Sequence, residues 1–167
     1  MTLSMYQASI PVFIRALGNL SKILDKGGAF AEARKIDPSV LINSRLAPDM
    51  YPLSRQVQLA SDFAVRGAAR LAGVDIPSNP DVETTFAELQ ARIAKARDFV
   101  KTLSAAQIDG SETKKLTIPV GGKELVFTGQ DYLFNFVLPN LFFHNTAAYL
   151  ILRHNGVELG KMDFLGA

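Results

Sequence analysis

Residues 135–156 read NFVLPNLFFHNTAAYLILRHNG, and this stretch is apolar on nearly every side of a helix rather than along one stripe. A helix with no polar face belongs in an interior. The pattern starts earlier, so the sequence predicts a closing helix from about Gly129 to Asn155, the most buried element of the fold, kinked at Pro139. Such a helix needs others around it, and the upstream sequence supplies them.

Ile10, Phe13, Ile14, Leu17, Leu20 and Leu24 recur at three- and four-residue steps, which predicts an amphipathic first helix from Ser4 to Leu24. Pro11 should bend it or loosen its first turn, and Gly27-Gly28 should end it. Ala29 to Met50 shows no sustained period and contains Asp37-Pro38 and Pro48, so it reads as a long connection of the kind that crosses between non-adjacent elements. Pro52 opens a second helix, Pro52 to Ala72, with Leu53, Val57, Ala60, Ala64, Ala68 and Leu71 on its apolar face. Asn79-Pro80-Asp81 reads as the start of a third helix, whose stripe is Phe86, Leu89, Ile93, Ala96, Val100 and Leu103. Glu88, Arg92, Lys95 and Lys101 are expected on its solvated outer face. In KKLTIPVGGKELVFTG the period falls to two around Gly121-Gly122, which predicts a small β-hairpin before the closing helix. RLAGVDI (70–76) and RHNGVEL (153–159) share one helix-ending pattern, with Gly73 and Gly156 in the left-handed position and Val74 and Val157 just beyond.

The sum is a mainly all-α chain: a four-helix bundle with a long first crossover connection, in one domain spanning residues 1–167. Its 167 residues, 48% hydrophobic and 20% charged, can fill one proper core. A net charge of +2 with acidic residues between the 18 Lys and Arg excludes an electrostatic nucleic-acid surface. The absence of cysteine excludes disulfides, thiolate catalysis and Cys-ligated metals. Neither a phosphate-cradling glycine loop nor a G-x-S-x-G elbow is present. The first 20 residues lack a basic region ahead of their apolar run, and Arg15 interrupts that run, so neither a signal peptide nor a membrane span fits, and the chain is read as cytoplasmic.

Function should then lie with polar residues that face inward. The two histidines, His144 and His154, are ten positions apart, about 80° out of phase and roughly 15 Å apart along a helix, too far to share one metal. His154 falls in the last turn, where it suits the helix terminus. His144 has Asn140 one turn back and the small Ala147 and Ala148 ahead, which leaves two readings open: a core histidine satisfied by a carbonyl, by Asn140 or by a side chain from another helix, or a ligand or acid–base group in a pocket. Gln58, Asp62 and Arg66 lie on one face of the second helix, with Asp62 and Arg66 spaced as an ion pair. Tyr6, Gln7, Gln56 and Tyr149 are further polar candidates.

FFHNTAAYLILRHNG resembles the last-helix signature of the DinB/YfiT-like metalloenzyme superfamily, an H-x-x-x-H pair followed by an aliphatic run, an Arg and a Gly cap. The longer strings LAPDMYPLSRQVQLASDFA, RLAG and LRHNGVELGKMDFLG look like one domain-of-unknown-function branch of it, over essentially the whole chain. The resemblance implies the DinB-like bundle and, in typical members, a divalent metal on three histidines, one from helix two and two from the last helix. On that pattern His144 matches the second histidine of the last-helix pair, the first falls on Asn140, and helix two has no histidine. Asp62 or a glutamine is the substitute ligand available, while a carboxamide is a poor replacement for imidazole toward zinc or nickel. Relatives include thiol-dependent transferases and isomerases, and many are dimers.

The expectation is therefore a protein with no cofactor that binds a small molecule in a pocket whose three-histidine metal site is incomplete. Candidate pocket residues are His144, Asn140, Asp62 and Gln58; the metal ligand, if one is bound, is His144. Expected partners are an unidentified small molecule and a second copy in a homodimer, with no nucleic acid and no membrane; apolar residues of the tail GKMDFLGA would suit such an interface as well as packing within the chain. The alternatives are a divalent-metal-dependent transferase or hydrolase with an altered ligand set, and a structural or dimeric interaction protein.

Overall fold

The computed structural model describes residues 3 to 166; Met1, Thr2 and Ala167, the last residue of the tail, lie outside the described residues. In chain order the elements are α1 (Met5–Arg34), α2 (Pro38–Ile42), α3 (Leu53–Ala72), α4 (Phe86–Lys101), α5 (Ala105–Ile108), β1 (Lys115–Val120), β2 (Lys123–Thr128), α6 (Gly129–Tyr132), a π-helical segment (Leu133–Val137), α7 (Leu138–His154) and α8 (Lys161–Leu165).

A capping box opens α1: the Ser4 hydroxyl accepts from the Gln7 amide, and the Gln7 side chain accepts from the Ser4 amide. The helix then runs through Gly27-Gly28 and ends at Arg34, ten residues later than the apolar stripe suggests, with Lys35 as its cap at a left-handed φ of 54°. Those glycines serve packing rather than termination. A Cβ on Gly27 would lie 3.0 Å from Leu152 and 3.2 Å from Phe86, so their absence of a side chain lets α4 and α7 close on α1 and offsets the helix cost of glycine, about 1 kcal/mol each. The expected connection from Ala29 shrinks accordingly to residues 35–52, and it contains α2, capped by Asp37, which accepts from the Ser39 amide.

The long helices close a ring, since α4 packs on α1 and α3 while α7 packs on α3 and α1. The segment 35–52 thus crosses from α1 to α3, as the crossover reading anticipates. The interior is built from Phe13, Leu17 and Leu24 of α1, Val57, Ala60, Ala64 and Ala68 of α3, Leu89 and Val100 of α4 and Leu141, Ala148 and Leu152 of α7, all with no exposed surface. The alanine row on α3 permits close approach, and at Gly67 a Cβ would stand 2.5 Å from Val137.

The third helix starts later than the Asn79-Pro80-Asp81 signal indicates. Thr85 is its cap: its hydroxyl accepts from the Glu88 amide, and the Glu88 carboxylate accepts from the Thr84 and Thr85 amides, hydrogen bonds that hold the Glu88 carboxyl below its ordinary pKa. Both predicted Schellman endings form, with Val74 donating to the Ala69 carbonyl and Val157 to the Leu152 carbonyl. The hairpin pairs Leu116 with Phe127 and Ile118 with Leu125, and positive φ at Gly121 and Gly122 gives the turn that matches strand twist. Pro139 does not end the closing helix. The irregularity its missing N–H creates coincides with the π-helical segment just before it. The tail folds back as α8, held to α1 where Arg15 donates to the Leu165 carbonyl, Asn19 donates to the Phe164 carbonyl, and Lys26 pairs with Asp163. Among the described residues no helix is long and apolar enough to cross a membrane.

Candidate functional site

His144 sits at the centre of the α3–α7 seam, 8% exposed. Its ring stacks on Phe63, with planes 16° apart and centroids 5.6 Å apart, and meets Phe143 edge-on at 5.2 Å. Across the seam its Nδ1 lies 2.8 Å from the Oε1 of Gln56, itself 1% exposed. Gln56 Nε2 donates to the Tyr51 carbonyl at 3.1 Å, so its oxygen faces the ring and can only accept. That chain of bonds assigns the proton to Nδ1 and leaves the lone pair on Nε2. Burial first, and the Arg55 charge second, push the imidazole pKa from 6.5 to about 4. At neutral pH the ring is therefore uncharged, a hydrogen-bonded core group able to act as a weak base through Nε2 alone.

A second polar centre lies on another face of α3, where Arg92 of α4 is 3% exposed. This corrects the expectation of a solvated Arg92. The guanidinium is surrounded by acids: Nη2 donates to Asp62 at 2.7 Å and pairs with Asp81 at 2.8 Å, while Nη1 donates to Glu83 at 2.9 Å and to the Pro80 carbonyl at 3.2 Å. Burial by itself would lower the Arg92 pKa, but the hydrogen bonds and charges of Glu83 and Asp62 outweigh it and hold the pKa above its ordinary value. Asp62 also accepts from Arg66 at 2.9 Å. Arg55 joins the network through Asp81 and Gln58, and Gln58 donates to Glu83 at 2.9 Å. Because Asp81 and Glu83 are drawn onto Arg92 and Arg55, the segment before Thr85 cannot coil into the helix, which explains the late start of α4.

The four candidate pocket residues thus fall into separate places. His144 bonds Gln56; Asn140 turns back on its own helix, donating to the Phe136 carbonyl at 2.7 Å in the irregular turn; Asp62 and Gln58 belong to the Arg92 network. None of the four hydrogen-bonds another. The decisive partner, Gln56, stood among the general polar candidates with nothing in its spacing to single it out. Arg92 was missed although it lies three residues after Leu89 and four before Ala96, on the apolar stripe itself. Of the remaining polar candidates, Gln7 caps α1, the Tyr6 amide donates to Asp109, and Tyr149 packs edge-on against Phe164. His154 is exposed in the last turn of α7, and the side chain that donates to a terminal carbonyl there is Asn155, bonded to Ile151.

Between α3, α4 and the loop at residues 76–79 lies a cleft of about 560 Å³, within the size range of small-molecule sites. Its floor and walls include Ser61, Asp62, Val65, Arg92, Ala96 and Phe99. Among the described residues no three His, Cys, Asp or Glu side chains gather so as to hold a metal ion.

Residues 5–165 match a family described as a domain of unknown function, DUF1993. A crystal structure of a DinB family member protein from Shewanella denitrificans, at 1.83 Å resolution, is 46% identical, with a TM-score of 0.87 over 97% of this chain and 92% of that one. No curated protein matches.

Proposed function

The chain belongs to the DUF1993 family, and from that premise we propose that it is a DinB-like protein that works without a metal and binds a small molecule in the α3–α4 cleft. The metal implied by the superfamily resemblance does not fit the donors present. One imidazole, His144, faces the carboxamide of Gln56, and its nearest helical neighbour, Asn140, is engaged with its own backbone. Asp62, the available carboxylate, is held by two guanidiniums. Neutral carboxamides are weak ligands for zinc or nickel, and the Nε2 lone pair of His144 would be a metal's single imidazole ligand. No catalytic step through a metal is assigned.

The observation that carries the binding reading is the cleft itself: roomy, apolar on its walls and backed by a buried charge network that includes Asp62. The test is protein-observed NMR against a small-molecule fragment library, on wild type and Val65→Trp, a substitution that fills the cleft from its half-buried side. Fragments that shift Val65, Ala96 and Phe99 signals and lose their effect in the variant support the reading. Fragments that cluster at His144, or none at all, refute it.

The homodimer is proposed as well, on the exposed apolar pair Phe143 and Leu150, seven residues apart on α7. Sedimentation of wild type and Phe143→Glu checks it, with a monomeric wild type as the contrary result.

A further inference from the structure

Resting on the cleft reading above, we infer that the occupant of the α3–α4 cleft is an amphipathic monocarboxylate, its apolar body laid between α3 and α4 and its carboxylate held at the rim by Lys95.

The apolar half follows from the walls. Lys95, Ala96, Phe99 and Thr102 of α4 line the cleft at three- and four-residue steps, so they share one face of that helix. Val65 of α3 and Ile76 and Pro77 of the loop make up the other sides. From Lys95 to Thr102 the α4 face runs about 10 Å along the helix axis. A molecule laid on it meets mostly hydrocarbon, which favours an apolar body of that length.

The charged half follows from which side chains already have partners. Asp62, Arg66, Arg92, Lys95 and Asp98 line the cleft. Asp62 takes both Arg66 and Arg92, Arg92 also has Asp81 and Glu83, and Asp98 has Lys101. With Arg55 on Asp81 behind them, three guanidiniums face three carboxylates. Lys95 is left over: among the described residues it forms no ion pair, and its ammonium donates to the Asn79 side-chain oxygen at 3.0 Å. That bond holds the charge where α4 meets the loop at residues 76–79, beside the apolar walls. Lys95 is exposed, so an occupant can reach it. An ammonium carries three donors, and the two that Asn79 does not take suit an acceptor with two oxygens. A carboxylate supplies both oxygens and the one negative charge that the excess calls for. A dianion would bring a second negative charge beside Asp62 and Asp98 with no cation left to meet it, an amine would add to the excess, and an uncharged molecule would leave the ammonium to water.

The experiment titrates the full-length protein with octanoate and, as matched probes, octanamide and octylammonium, following the backbone amide signals by NMR at low and at high salt. Each titration is repeated on Lys95→Met, which keeps an unbranched stem without the charge, and on Val65→Trp. The expected result is saturable octanoate binding about fivefold tighter than octanamide, the upper end for an exposed ion pair, with octylammonium weakest. That advantage should shrink at high salt and vanish in Lys95→Met, while Val65→Trp abolishes binding of every probe. If octanamide or octylammonium binds as tightly as octanoate, or the octanoate advantage survives in Lys95→Met, and Val65→Trp still abolishes binding, the cleft remains the site and the carboxylate assignment is wrong. If no probe binds in a way that Val65→Trp abolishes, the cleft reading itself falls, and this inference with it.

Discussion

Acidification should destabilise the protein through His144 before any carboxylate titrates. The ring is buried, stacked on Phe63 and donating to Gln56, with its pKa pushed from 6.5 to about 4. A base whose folded pKa is depressed binds fewer protons folded than unfolded between those two values. Stability is therefore fully present above the unfolded pKa, falls as pH drops through the window from 6.5 toward 4, and flattens below it. The whole window is worth about 3 kcal/mol, and by about pH 5, where the unfolded imidazole is largely protonated and the folded one is not, about 2 kcal/mol is already lost. The assay is urea denaturation of wild type and His144→Gln at about pH 8 and about pH 5, which subtracts every group the two proteins share. Wild type should lose about 2 kcal/mol more than the variant over that interval. Equal losses, within about 0.5 kcal/mol, would mean that His144 is open to water or charge-paired when folded, and the closed His144–Gln56 pair would be wrong.

Replacing Arg92 with Met should cost about 3 kcal/mol in urea denaturation, because it strips Glu83 of its guanidinium in a poorly solvated place and leaves Asp62 with Arg66 alone; a loss under about 1 kcal/mol would show that the network is solvated. Gln56→Leu strands both the His144 Nδ1 proton and the Tyr51 carbonyl, with an expected loss of about 2 kcal/mol. Gly129→Ala would place a Cβ 1.9 Å from the Ser111 carbonyl oxygen, so the backbone must move and the melting temperature should drop by well over what Gly122→Asn produces, at a turn position with φ of 79° and no neighbour within 4 Å.

The bundle was legible because its stripes are long: Phe13 to Leu24, Val57 to Ala68 and Leu89 to Val100 each commit a face over several turns. The hairpin and both glycine caps were legible because their chemistry is local. What escaped was set by distant partners. Gly27-Gly28 has the appearance of a stop signal, yet its role is to admit Leu152 and Phe86 from two other helices. Asn79-Pro80-Asp81 looks like a start signal, but Asp81 is bound to Arg92 and Arg55 eleven and twenty-six residues away. The same limit applied to the site. His144 stood out as a histidine within an apolar run, but which of Gln56, Gln58 or Asp62 would face it depended on the rotation of α3 against α7. Arg92 is different, since its spacing from Leu89 and Ala96 places it on the buried stripe in the sequence itself.

The most direct test of the account is elemental analysis of tag-free protein, as purified and after zinc dialysis, alongside His144→Ala. A protein whose one buried imidazole is held by Gln56 should carry no stoichiometric zinc, nickel or iron in either form. One metal per chain in wild type, lost on His144→Ala, would contradict it and make the Gln56–His144 seam a metal centre.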